Sequence, residues 1–150
     1  YRTGLKADVH AIDAFELTAQ KYDAIILDAP CSATGTMRRH PDLPYAKDGT
    51  EFATLIDLQE SLLNHALTLL APEGRLVFCT CSLLPDEGEV QVETALERNT
   101  DFEVDPEMFE FASVQSEWFI ESLGLRLRPD YLAAEGGMDG FFVSVLRRKV

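Results

Sequence analysis

The sequence predicts an α/β fold, a mostly parallel sheet flanked by helices, and three observations carry that reading. Short runs rich in β-branched and apolar residues recur along the chain, with longer amphipathic stretches between them. The runs are close to continuously apolar rather than alternating, as in strands covered on both faces. Several close on an acid or a cysteine followed by small or turn-forming residues, so reactive side chains collect where strands end.

Residues 7–12 (ADVHAI) and 22–30 (YDAIILDAP) read as buried parallel strands joined by a short polar connection. Residues 51–70 place Leu55, Leu58, Leu62, Leu63, Ala66, Leu69 and Leu70 at the three-and-four spacing of an amphipathic helix, which Pro72 and Gly74 end. Residues 75–82 (RLVFCTCS) read as another buried strand. Residues 85–99 read as a helix with Pro85 in its first turn, acids at its N-terminal end and Arg98 near its last turn, the arrangement that the helix dipole favours. Residues 102–104 are a short strand candidate, and 107–124 read as either a short helix or an irregular insertion. A short strand at 125–127, a glycine-rich turn and a strong β run at 141–146 complete the chain. Strands running in one direction bring Asp13, Asp28 with Cys31, and Cys81 to one edge of the sheet, where ligands bind in such folds.

With 46% hydrophobic and 26% charged side chains, the 150 residues suit one globular domain with a real core. No run approaches the roughly 20 apolar residues of a membrane span. The N-terminal residues lack the basic-then-apolar order of a secretory signal, so the expected location is cytoplasmic. Its three cysteines are then expected to remain thiols. The net charge of −13 opposes nucleic-acid binding by charge alone, because phosphate affinity comes mainly from Lys and Arg. The chain opens at Tyr1 in what reads as an αβ connection, which suggests a piece of something longer.

A thiol becomes a nucleophile as its thiolate, which a helix N-terminus, a cation or a base favours. Cys81 precedes a helix and Cys31 sits in the loop after its strand, so both suit that role; the alternative is that each is a small buried hydrophobe. Cys79 belongs to the strand body. A metal centre built from Cys31, Cys79, Cys81 and His40 is disfavoured, because Cys-x-Cys within a buried strand is poor geometry for tetrahedral closure. Asp28 ends an apolar strand and needs donors, either from a ligand or from its own loop's N–H groups; Asp13 has the same choice. Arg38 and Arg39, in MRRHPD, either hold phosphates or belong to a solvated loop.

The stretch DAPCSATGTMRRHPD, residues 28–42, and the stretch TCSLLPDEGE, residues 80–89, together resemble motifs IV and VI of the RNA 5-methylcytosine methyltransferases of the Sun/Fmu (RsmB-like) family. MDGFF, residues 138–142, is similar to that family's closing hairpin. The resemblance implies a Rossmann-like S-adenosyl-L-methionine (SAM) methyltransferase fold that methylates carbon 5 of a cytosine in RNA, with ribosomal RNA as the expected partner. It implies that Cys81 is the attacking nucleophile and that Cys31 assists release of the adduct. It also implies that Asp28 lies beside the cofactor's reactive end and the target base, that Asp13 contacts the adenine amino group, and that Pro30 shapes the cytosine pocket. Arg38 and Arg39 then fall to the RNA.

The family's glycine-rich cofactor loop, the acid that grips the ribose and the basic RNA-binding extension are expected before Tyr1. Residues 1–150 therefore read as the C-terminal portion of a single catalytic domain, with its N-terminal strands missing, weak in SAM binding and inactive alone. Two other classes stand against this reading. One is a silent RNA-binding module with the same fold, which the presence of Cys81 opposes. The other is a thiol redox or zinc protein, which the absence of Cys-x-x-Cys opposes.

Overall fold

The computed structural model describes residues 3–18, 20–110 and 114–149. The leucine spacing of residues 51–70 produces helix α2 (Phe52–Leu69), after a single-turn α1 (Leu43–Ala46). It turns Gln59, Leu63, Ala66 and Leu67 inward, one turn after another. That face packs on β1 (Tyr22–Asp28) and β2 (Leu70–Thr80). Helix α3 (Glu89–Arg98) packs beside α2 and buries Val92 and Ala95. The sheet is completed by β3 (Phe102–Val104), β4 (Phe119–Ile120), β5 (Gly124–Leu127) and β6 (Phe141–Arg148), in the order β1-β2-β6-β5-β4, with β3 also pairing β6. Leu63, Leu67, Leu70, Leu76, Phe78, Val92, Phe142 and Leu146 form the core. There Phe78 and Phe142 meet edge to face at 6.4 Å.

A central sheet with helices agrees with the expected fold class, but its direction differs. Only β1 and β2 pair in parallel; β6 runs antiparallel to β2, β3 and β5, and β4 to β5. The short connection from Ile120 to Gly124, between β4 and β5, allows no crossover, which a parallel pair requires. Residues 7–12 form no strand, and Leu5 and Val9 are 83% and 88% exposed. An apolar run becomes a strand only by pairing, and among the described residues no strand pairs with the outer edge of β1.

Pro72 and Gly74 do not separate α2 from the next strand. The strand begins at Leu70, opposite Tyr22, and a bulge absorbs them before Ala24 meets Arg75. The expected helix at 85–99 splits into a 3-10 turn, Pro85–Glu87, and α3. They are parted at Gly88, where an added Cβ would sit 2.5 Å from Arg126 Nη2 and 2.9 Å from the Phe142 ring. Within 107–124 stand two 3-10 turns, Pro106–Glu110 and Ser116–Trp118, then β4; residues 111–113 of that stretch lie outside the described residues. Among the described residues no helix is long and apolar enough to cross a membrane.

Candidate active site

β1 and β2 end side by side, Asp28 opposite Cys79, and release their loops from the same edge of the sheet. The loops are then tied backbone to backbone. The Ala29 N–H donates to the Cys79 carbonyl at 3.0 Å and the Gly35 N–H to the Cys81 carbonyl at 2.9 Å. Gly140, just before β6, donates its N–H to the Gly35 carbonyl at 2.8 Å. A Cβ at Gly35 would fall 2.0 Å from the Gly140 oxygen and 2.9 Å from the Cys81 oxygen, so only glycine allows this three-way approach. The result is a pair of half-buried thiols, Cys31 and Cys81, with sulfurs 3.5 Å apart.

The thiol environments are set by this packing. Burial pushes Cys31 up to about 12; the Ala33 N–H lowers it in part, and the Cys81 sulfur raises it further. Burial, assisted by the Asp28 carboxylate, pushes Cys79 up to about 11. Cys79 sits in the body of β2 with its sulfur 3.6 Å from the Leu27 carbonyl and 3.9 Å from Asp28 Oδ1, as a strand residue rather than a member of the pair.

Asp28 is exposed at the end of β1, and no described ion pair neutralises it. Asp13 does not end a strand: it caps the 3-10 turn Ala14–Glu16 by accepting the Phe15 N–H at 3.0 Å. The edge thus gathers Asp28, Cys31 and Cys81, with Asp13 on a separate segment. The Pro30 carbonyl accepts the Gln59 amide at 2.8 Å, which fixes the first turn of the Cys31 loop onto α2. Arg38 and Arg39 both reach Asp139, at 3.6 and 2.5 Å, while keeping about half of each side chain in solvent.

Residues 2–147 match the model of a family described as 16S rRNA methyltransferase RsmB/F. The chain belongs to the RsmB/F family. It is 38% identical over 133 residues to the ribosomal RNA small subunit methyltransferase B of Pasteurella multocida, a match covering 89% of this chain and 27% of that one. It is 34% identical over 149 residues to the Shewanella oneidensis protein of the same name, covering 97% of this chain and 32% of that one. The chain therefore spans about a quarter to a third of the length of these curated relatives. Among solved structures it resembles NSun6 from Pyrococcus horikoshii, solved with SFG. That match has 25% identity and a TM-score of 0.68, over 91% of this chain and 33% of that one. It also resembles a methyltransferase homologue from the same organism, with 31% identity and a TM-score of 0.58, over 87% and 40%. The fold is that of the Rossmann-like SAM-dependent methyltransferases.

This RsmB/F chain also holds side chains at the site that sequence reading did not single out. Glu87, fully buried, accepts bonds from the Cys31 loop and from α2. Arg126 of β5 grips the Glu89 carboxylate at 2.5 Å, donates to the Ser82 carbonyl and lies over the Phe142 ring. Its hydrogen-bonding partners Ser82 and Glu89 lie in TCSLLPDEGE, but nothing near Arg126 in sequence announces them. At the opposite end of the sheet, a cleft of about 360 Å³ is lined by Arg75, Arg147, Arg148 and Lys149. Its arginines are already paired with Asp101, Glu103, Asp105 and Glu107, which leaves little free positive charge there for an anion. Among the described residues no group of three or more His, Cys, Asp or Glu side chains is arranged to hold a metal ion.

Proposed function

We propose that the protein containing this chain methylates carbon 5 of a cytosine in RNA, with ribosomal RNA as the substrate class, through a covalent adduct between Cys81 and carbon 6 of the base. The observation that carries this reading is the 3.5 Å thiol pair at the shared end of two parallel strands. Carbon 5 of cytosine is a poor nucleophile. Addition of a thiolate to carbon 6 moves the ring's electron pair toward carbon 5 and makes it enamine-like. Once carbon 5 carries the methyl group, its proton is lost to solvent, the 5,6 double bond re-forms and Cys81 leaves with the electrons of the S–C bond.

Burial raises the Cys31 thiol, so its S–H, 3.5 Å from the Cys81 sulfur, is available to donate to that sulfur as it departs. Asp28 and Asp13 are exposed carboxylates without ion-pair partners among the described residues, hydrogen-bond acceptors that suit a cofactor with amino groups and a positive sulfonium. A neighbour solved with SFG, a SAM analogue, supports SAM as that cofactor. Bound SAM supplies an electrophilic methyl group. In this reading Pro30 shapes the cytosine pocket, and Arg38 and Arg39 face phosphates of an RNA whose target base is turned out of its stack. The reading places the protein in the cytoplasm.

The test uses the full-length protein with SAM and RNA carrying 5-fluorocytosine, whose fluorine blocks loss from carbon 5. A denaturant-resistant adduct is expected with wild type and Cys31→Ala and is expected to vanish with Cys81→Ala. Survival in Cys81→Ala and loss in Cys31→Ala reverses the two roles. No adduct from any candidate RNA with folded, SAM-bound protein overturns the reading.

A further inference from the structure

Beneath the thiol pair lies a carboxylate that the methylation chemistry does not use. Glu87 Oε1 accepts the Ser32 N–H at 2.9 Å and the Gln59 amide at 3.0 Å, and Oε2 accepts the Ser32 hydroxyl at 2.5 Å. Ser32 comes directly after Cys31, and Ser82 directly after Cys81. Their hydroxyls meet at 3.3 Å, and Thr34 Oγ1 joins Ser82 Oγ at 3.1 Å while accepting the Leu83 N–H at 2.9 Å. The backbone of the same acid is held as well, since Thr80 donates its hydroxyl to the Glu87 carbonyl at 2.9 Å. Glu87, Ser32, Ser82, Gln59 and Thr80 are all fully buried.

A buried carboxylate costs several kcal/mol unless every lone pair finds a donor, so a site needing only bulk would be filled more cheaply by an apolar side chain. What a polar side chain adds is direction: the Cys31 loop, through Ser32, and α2, through Gln59, must present polar groups to one point on the segment that follows Cys81. Successive Cα atoms are about 3.8 Å apart, so a serine fixed next to each cysteine leaves the sulfurs little freedom to separate. We propose that Glu87 is a positioning residue that locks the Cys31 and Cys81 loops in one register, so that the release thiol stays beside the attacking one after the adduct has formed. The proposal rests on the division of labour between Cys81 and Cys31 given under the proposed function.

The experiment compares full-length wild type, Glu87→Ala and Glu87→Gln. Glu87→Ala is expected to lower methylation turnover about tenfold or more with little change in the KM for RNA, since misplacement of a reacting group by about 1 Å is felt in the chemical step. It is also expected to accumulate covalent adduct on ordinary RNA, the signature of attack without release. Glu87→Gln is expected to restore turnover, because its oxygen still accepts from Ser32 and Gln59 while its amide donates to the Ser32 hydroxyl. Wild-type turnover in Glu87→Ala overturns the proposal. So does a fall of turnover and adduct together in proportion to the folded fraction, which a merely structural role produces. Iodoacetamide labelling of Cys31 without RNA separates this from the function itself, with a rise of about tenfold expected in Glu87→Ala and none in Glu87→Gln. Unchanged labelling overturns the positioning role. Altered labelling with no adduct from 5-fluorocytosine RNA in wild type leaves that role standing and removes the methylation reading.

Discussion

Cys31 keeps its proton because burial removes the water that a thiolate needs and because a second sulfur stands 3.5 Å away. In an unfolded chain the same thiol ionises near 9, against about 12 when folded, so between those values the folded chain holds the extra proton. The stability tied to Cys31 is thus fully present below pH 9 and is lost as the pH rises toward 12, with Cys79 adding a parallel loss toward 11. The urea midpoint is expected to fall between pH 8 and pH 10, and the fall is expected to shrink in Cys79→Ala. Glu87 acts at the other end of the scale. Burial by itself would raise its carboxyl, but the bonds from Ser32, Ser82 and Gln59 together hold it below the usual range, so its contribution is lost as acid protonates it. The cysteines and Asp28 were legible in the sequence because each closes an apolar run. Glu87 stood within TCSLLPDEGE and read only as an acid at a helix start, since its partners Ser32 and Gln59 lie 55 and 28 residues away.

Between elements, the tightest joint is the crossing of the Cys31 loop, the Cys81 loop and the turn into β6 at Gly35 and Gly140. Gly35→Ala would drive a methyl into two carbonyl oxygens, so a loss of about 1–3 kcal/mol is expected, read as a lower melting temperature. Gly4→Ala is a poor control, because Gly4 has φ +68 although nothing lies near it. Leu58→Ala, partly exposed on α2, serves better and is expected to cost far less. Helix α2 and strands β1, β2, β3, β5 and β6 were readable because their periodicities are set within a few residues. The run at 7–12 misled because its apolar pattern carries no information about whether a neighbour exists to pair with it. The division at Gly88 was hidden for a related reason: what crowds it is Arg126 and Phe142, from strands more than thirty residues away.

On the scale of the whole molecule, the arginines at the far end of the sheet are matched by Asp101, Glu103, Asp105 and Glu107, whereas Arg38 and Arg39 share the single carboxylate of Asp139 and so keep positive charge in excess. In the proposed function Asp13 and Asp28 form only part of a cofactor site, so calorimetry on the 150 residues alone is expected to show weak SAM binding or none. A low-micromolar dissociation constant would mean that these residues hold enough of the site by themselves. Ile26 on β1 is 76% exposed at an unpaired edge, a surface prone to association in the isolated chain. The parallel order expected from sequence failed here because strand direction is decided by the length of a connection and by where its far end docks, neither of which is written in the strand itself. Such a topology also bears on synthesis, through β6. Of the described strands it is the last to leave the ribosome, yet it lies between β2 and β5, pairing across some seventy positions with Leu76 and Phe78. Until it arrives, the amide of Gly140 is not there to hold Gly35, and Gly35 lacks one of the two anchors that set it against Cys81. The nascent chain thus carries both sulfurs before it has the geometry that makes them a pair, and acquires that geometry only as the sheet closes.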